Sequence, residues 1–134
     1  MQATAVNTPL QPAKWAPVVA VVDDDLAVCR SLKFSLELEG FSVRTFASAA
    51  ELFAASGIDA CDCFVIDQRM PGMTGMELVA QLRQQTIRSP IILLISHPNA
   101  AVRAAAAKAG VPIVEKPLLG DALVEEIREA CARR

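Results

Sequence analysis

Three short apolar runs in this chain end in charge. Val18–Val22 runs into Asp23, Asp24 and Asp25, Phe64–Ile66 into Asp67, and Val111–Val114 into Glu115, Lys116 and Pro117. Short apolar runs in an alternating strand/helix chain read as buried parallel strands. In such sheets ligands bind outside the carboxyl ends of the strands. Three strand ends then deliver several carboxylates and one ammonium to one crevice. Crowded carboxylates repel, and a hard divalent cation with oxygen ligands is the natural counter-charge.

Positioning these groups requires a layered scaffold, and the rest of the chain supplies its pattern. Its 134 residues predict one domain with a real core. Hydrophobic residues at 53% and charged ones at 21% predict a globular chain rather than a disordered one. The net charge of −2 and the lack of a basic run argue against direct nucleic-acid binding. No apolar run is long enough to span a membrane, and residues 1–17 lack a signal-peptide pattern. A cytoplasmic protein is expected.

Residues 1–17 hold three prolines and read as a flexible leader, with Trp15 able to tack it onto the domain. From residue 18 the chain alternates. Strands are predicted over 18–22, 41–46, 63–66, 91–95 and 111–115. Helices are predicted over 26–39, from Ser48 to about Ser56, from Thr74 to about Gln85, over 99–109 and over 121–132. Strict alternation with right-handed crossovers predicts an α/β fold, a parallel sheet covered on both faces. Cys29, Cys61, Cys63 and Cys131 lack metal or redox spacing and read as small core hydrophobes. Val124, Ile127 and Cys131 on the last helix suit either core or a dimer seam, with core preferred. The dimer stays open.

The segments Val21–Asp25, Asp67–Leu78 (D-Q-R-M-P-G-M-T-G-M-E-L) and Glu115-Lys116-Pro117 together resemble the receiver domain of bacterial two-component response regulators. The resemblance covers about residues 18–132. It implies the flavodoxin-like doubly wound (βα)5 fold with strand order 2-1-3-4-5. It implies that Asp67 is the phosphoacceptor, forming an acyl phosphate with a phosphoryl group from a sensor histidine kinase or phosphotransfer protein. It implies a Mg2+ site at Asp23, Asp24, Asp67 and the main-chain carbonyl of Arg69, with Lys116 neutralising the phosphoryl oxygens. Signalling would pass to a downstream protein that the sequence does not identify. Asp25 has no matched role and reads as a solvated acid or a helix cap.

Two positions depart from the family pattern. A Thr or Ser usually ends the fourth strand, five residues after its opening proline, and contacts the phosphoryl group. Five after Pro90 is Ile95, and the hydroxyl, Ser96, comes one later. One step along a strand turns a side chain to the opposite face. Either the strand is slipped or bulged so that Ser96 faces inward, or the contact is lost, and the spacing favours loss or weakening. The second relay position, three before the lysine and usually aromatic, is Ile113, and Gly110–Lys116 looks one residue short. His97 falls where the family tunes dephosphorylation. It reads as a gate for attacking water or, preferably, as an exposed loop residue. No output domain follows Arg134 in this sequence, so a single-domain receiver or part of a longer regulator is expected. The altered relay also allows a phosphorylation-independent interaction module. A haloacid-dehalogenase-type hydrolase needs an acid two residues after the nucleophile, and Arg69 stands there.

Overall fold

The computed structural model describes residues 16–118 and 120–133. Most of the expected leader, including Trp15, lies outside the described residues. The elements are β1 Val18–Val22, α1 Leu26–Leu38, β2 Ser42–Phe46, α2 Ala49–Ala54, β3 Cys63–Asp67, α3 Gly75–Gln84, β4 Ile91–Ile95, α4 Ala100–Ala109, β5 Ile113–Glu115 and α5 Ala122–Arg133, with a 3-10 turn over Ile58–Ala60. The five strands form one sheet in the order β2-β1-β3-β4-β5, every pair parallel. This is the doubly wound architecture that the alternation predicts.

Polar side chains set the helix starts. The Asp25 carboxylate accepts from the Ala27 and Val28 N–H groups at the head of α1. Ser48 accepts from Glu51 N–H ahead of α2. Thr74 and Glu77 exchange bonds in a capping box at α3. Asn99 accepts from Val102 N–H at α4. Each such cap contributes roughly 1 kcal/mol. Gly110 ends α4 in the left-handed region at φ +72, where a Cβ is disfavoured.

Two of the expected boundaries shift by more than one residue. The second helix stops at Ala54, and Ile58–Ala60 forms a separate 3-10 turn. The last strand begins at Ile113 rather than Val111. Pro112 has no N–H to donate to a ladder, although its carbonyl still accepts from Leu93 N–H at 2.9 Å.

Strand alternation sorts the core into two layers. Ala20, Val22, Phe64, Ile66, Ile91 and Leu93 face Leu52 of α2, Leu78 and Leu82 of α3 and Ala106 of α4. Val19, Val21, Cys63, Val65, Ile92, Leu94 and Val114 face Cys29, Leu32 and Leu36 of α1 and Leu123 and Ile127 of α5. Each fully buried large aliphatic side chain contributes about 1.5–3 kcal/mol. Cys29, Cys61 and Cys63 are buried and Cys131 half-buried, with Cys29, Cys63 and Cys131 in or against the second layer. Ile127 is fully buried, and Val124 and Cys131 pack against the same cluster, so this stripe of α5 serves the core.

Candidate functional site

The second core layer continues past the strand ends into the charged crevice. Side chains two residues apart share a face, so Asp23 follows Val19 and Val21. By the same step Asp67 follows Cys63 and Val65, Ser96 follows Ile92 and Leu94, and Lys116 follows Val114. The apolar residues before each polar one belong to one buried cluster. Asp23, Asp24, Asp67, Arg69, Ser96 and Lys116 line one open concavity at the carboxyl edge of the sheet.

Lys116 sits between two carboxylates. Its Nζ lies 3.0 Å from Asp23 Oδ2 and 3.4 Å from Asp67 Oδ1. Asp23 is fully buried and Asp67 nearly so. The other oxygen of Asp23 accepts the Asp25 N–H at 2.9 Å, and the Asp23 main-chain carbonyl accepts the Cys29 thiol at 3.2 Å. Burial raises the pKa of Asp67, and the Asp23 charge raises it further; Lys116 and the Arg69 main-chain N–H pull the other way without cancelling the rise. Burial pulls Lys116 down, but the hydrogen bond to Asp23 and the charges of Asp67 and Asp23 more than offset it, so its pKa ends above the ordinary lysine value. The ammonium is thus held charged beside an acid that ionises reluctantly.

Oxygen atoms of Asp23, Asp24 and Asp67 all lie within 4.8 Å of one another. Asp23 and Asp67 are buried, whereas Asp24 is exposed on the solvent side. Hard oxygen donors with an open side suit a cation that keeps several waters, as Mg2+ does. Asp25 is occupied as the α1 cap.

β4 pairs without a bulge on both sides. Phe64–Asp67 match Ile91–Leu94, and Leu93–Ile95 match Ile113–Glu115. Ser96, one residue past the end of β4, lines the acidic crevice although it comes six residues after Pro90. The expectation of a lost or weakened contact rested on counting from the proline; Ser96 itself stands just past β4, exposed, on the rim that the crevice shares with a neighbouring cleft. Ile95 takes the other face, 7% exposed. It lines a neighbouring cleft with Gln68, Thr74, His97, Asn99 and Val102, which Arg69 and Ser96 share. His97 belongs to that cleft and not to the acidic crevice. Ile113 is half-buried and packs against the first core layer, on the side opposite Lys116.

The sequence reading assigned no role to Gly75. A Cβ there would lie 2.7 Å from the Asp67 carbonyl oxygen, 2.8 Å from Leu93 Cδ1 and 2.9 Å from Gln68 Cα. Only glycine lets the first turn of α3 approach the end of β3 this closely. The Gly75 N–H bonds Gln68 O at 3.0 Å, and Gln68 Oε1 accepts the Met76 N–H at 2.9 Å. These contacts pin the backbone that presents Asp67. The one sequence signal was the run Gly72-Met73-Thr74-Gly75.

The crevice and the sheet order define a protein class, and comparisons with known proteins agree. The model of the response regulator receiver domain matches residues 19–128, and the chain belongs to that family. The C4-dicarboxylate transport transcriptional regulatory protein DctD of Pseudomonas aeruginosa is 35% identical over 92% of this chain and 27% of its own length. The transcriptional regulatory protein FixJ of Bradyrhizobium diazoefficiens is 38% identical over 84% of this chain and 55% of its own length. The chain thus spans between about a quarter and about half of these curated relatives. Among solved structures, a receiver domain from Methanospirillum hungatei superposes with a TM-score of 0.80 at 26% identity, covering 88% of this chain and 95% of that one. The FixJ N-terminal structure gives 0.72 at 32% identity, covering 88% and 94%. The protein is a signalling domain of two-component systems, a family whose members work with histidine kinases or phosphotransfer proteins. Among the described residues no helix is long and apolar enough to cross a membrane.

Proposed function

We propose that Asp67 accepts a phosphoryl group from the phosphohistidine of a sensor kinase or phosphotransfer protein. The observation that carries this reading is the Lys116 ammonium held 3.0 Å from Asp23 and 3.4 Å from Asp67. A carboxylate oxygen of Asp67 attacks phosphorus, the bond from phosphorus to the donor imidazole breaks, and the nitrogen keeps the electron pair. The product is an acyl phosphate on Asp67. Lys116 meets the phosphoryl oxygens as their charge spreads in the transition state. Asp23, Asp24, Asp67 and the Arg69 carbonyl would hold Mg2+, whose charge, when bound, offsets that of the phosphoryl oxygens.

Ser96 donates its hydroxyl to a phosphoryl oxygen in this reading, which its place in the lining of the same crevice as Asp67 and Lys116 supports. Ile113 replaces the usual aromatic relay on the other face. The response passes to a downstream protein by altered protein–protein contacts, in the cytoplasm, with the domain itself catalysing phosphoryl uptake and loss. Residues 18–134 act as the receiver, and residues 1–17 as its leader.

Intact-protein mass spectrometry after incubation with phosphoramidate and Mg2+ tests the reading. One added phosphoryl group is expected, abolished by Asp67→Asn. No added mass, under conditions that label a known receiver, would leave the phosphorylation-independent interaction module as the better account.

A further inference from the structure

Gln68 follows Asp67 directly and is half-buried. Its main-chain N–H bonds Leu94 O at 2.8 Å, which carries the pairing with β4 one step past Asp67. Its carbonyl accepts the Gly75 N–H at 3.0 Å. Its side-chain Oε1 accepts the Met76 N–H at 2.9 Å. The two acceptors of one residue thus take two consecutive N–H groups at the head of α3.

Those N–H groups have no partner inside the helix. Thr74 Oγ1 takes the next one, from Glu77, at 3.2 Å. The helical ladder then begins with Leu78 N–H on the Thr74 carbonyl at 3.0 Å. One hydrogen bond is a pivot, whereas two between the same partners fix their orientation. The loop 69–74 is therefore tied at its base by both bonds of Gln68.

That loop carries the Arg69 carbonyl, one of the oxygens that would hold Mg2+. Asp23 and Asp67 are fixed by burial. Arg69 is exposed, so its carbonyl depends on the residues that flank it. Met70, packed in the first core layer, holds one side, and Gln68 holds the other. Mg2+ requires near-octahedral oxygen ligands at about 2.0–2.1 Å, whereas Ca2+ takes more oxygens at about 2.3–2.6 Å in looser arrangements. A working site keeps its groups within about 0.5 Å of their places. A carbonyl free to wander therefore costs the smaller ion more than the larger.

We propose, on the reading of the crevice as a Mg2+ site, that Gln68 is a positioning residue for the metal. Its clasp on α3 holds the Arg69 carbonyl in place and biases the crevice toward Mg2+ over Ca2+.

Isothermal titration calorimetry of the full chain with MgCl2 and with CaCl2 tests this. Gln68→Met keeps the length of the side chain and removes the acceptor, whereas Gln68→Glu keeps the acceptor. Circular dichroism checks that both variants fold. Gln68→Met should raise the Mg2+ dissociation constant about tenfold, the lower end of what losing the partner of a metal ligand costs. It should raise the Ca2+ constant by no more than about threefold, given the looser geometry of that ion. Gln68→Glu should keep the Mg2+/Ca2+ ratio of the unaltered chain, because its added charge acts on both ions alike. Mg2+ binding by Gln68→Met as tight as in the unaltered chain would overturn the proposal and leave the metal site standing. An equal loss for both ions would also overturn it, since a loosened fold weakens any cation. So would a Gln68→Glu ratio that matches Gln68→Met, because the acceptor would then not matter. An unaltered chain that binds no Mg2+ would remove the reading of the crevice itself, and the proposal with it.

Discussion

Lys116 and Asp23 lie 93 residues apart in the chain, yet their side chains meet at 3.0 Å. The pair closes the sheet's carboxyl edge from β1 to β5 and leaves Asp67 as the lysine's second, slightly longer contact. Lys116→Ala removes the counter-charge from two buried carboxylates. Breaking such a contact costs about 3 kcal/mol, so urea unfolding at neutral pH should show a loss of that order. The sign with pH follows from the two shifts. The raised Lys116 pKa means that its contribution is fully present below the ordinary lysine value and fades only as pH rises through the shifted one. The deficit of the variant should therefore be flat through neutrality and shrink as acid protonates Asp67.

Asp67 has the opposite cost. Its pKa is raised, by burial and then by Asp23, so the native state prefers it protonated. Stability falls as pH rises from the ordinary carboxylate value through the shifted one. Asp67→Asn should raise the melting temperature by a few degrees at neutral pH, of order 1 kcal/mol, while abolishing phosphoryl uptake. The gain should vanish below the ordinary aspartate range. A variant melting below the unaltered protein at neutral pH would contradict this balance of charges.

Gly75→Ala should be costly without touching any charge. The new methyl meets two backbone atoms and a buried leucine inside 3.0 Å. Overpacking of this kind costs about 1–3 kcal/mol. Because the backbone in question belongs to Asp67 and Gln68, the rate of phosphoryl uptake should fall as well. Calorimetry and phosphoramidate labelling of the same sample separate the two effects.

Ser96 and Ile95 should respond in opposite ways. Ser96→Ala is expected to change stability by less than about 0.5 kcal/mol and to shrink the amide shifts that beryllofluoride produces beyond the crevice. Ile95→Ala should cost about 2–5 kcal/mol as a buried truncation. Reversed results in paired denaturant titrations would mean that β4 faces the other way.

Saturating Mg2+ should stabilise the fold by mass action, about 2.7 kcal/mol at one hundred times its dissociation constant. Asp24→Asn should cancel most of that gain while hardly altering the metal-free melting temperature, since Asp24 is exposed. Thermal melts with and without Mg2+ check both arms.

The sequence alone determined the element types, the alternation and the acidic and basic strand ends, because helix caps, apolar runs and turn residues act over a few neighbours. Parallel pairing followed from alternation, and the receiver resemblance ordered the strands. Asp23, Asp67 and Lys116 were legible for the same reason, since each ends a strand that aims it at one edge. The facing of Ser96 was not. Counting from Pro90 favoured Ile95, whereas facing depends on which side of β4 packs against α1 and α5. The ladders to β3 and β5 set the facing of Ile91–Ile95, and the turn that follows carries Ser96 to the crevice. Gly75 was likewise hidden, since its requirement is a backbone approach between residues that a string of letters does not bring together. Local chemistry wrote the strand ends, and long-range pairing chose which side chains share a face there.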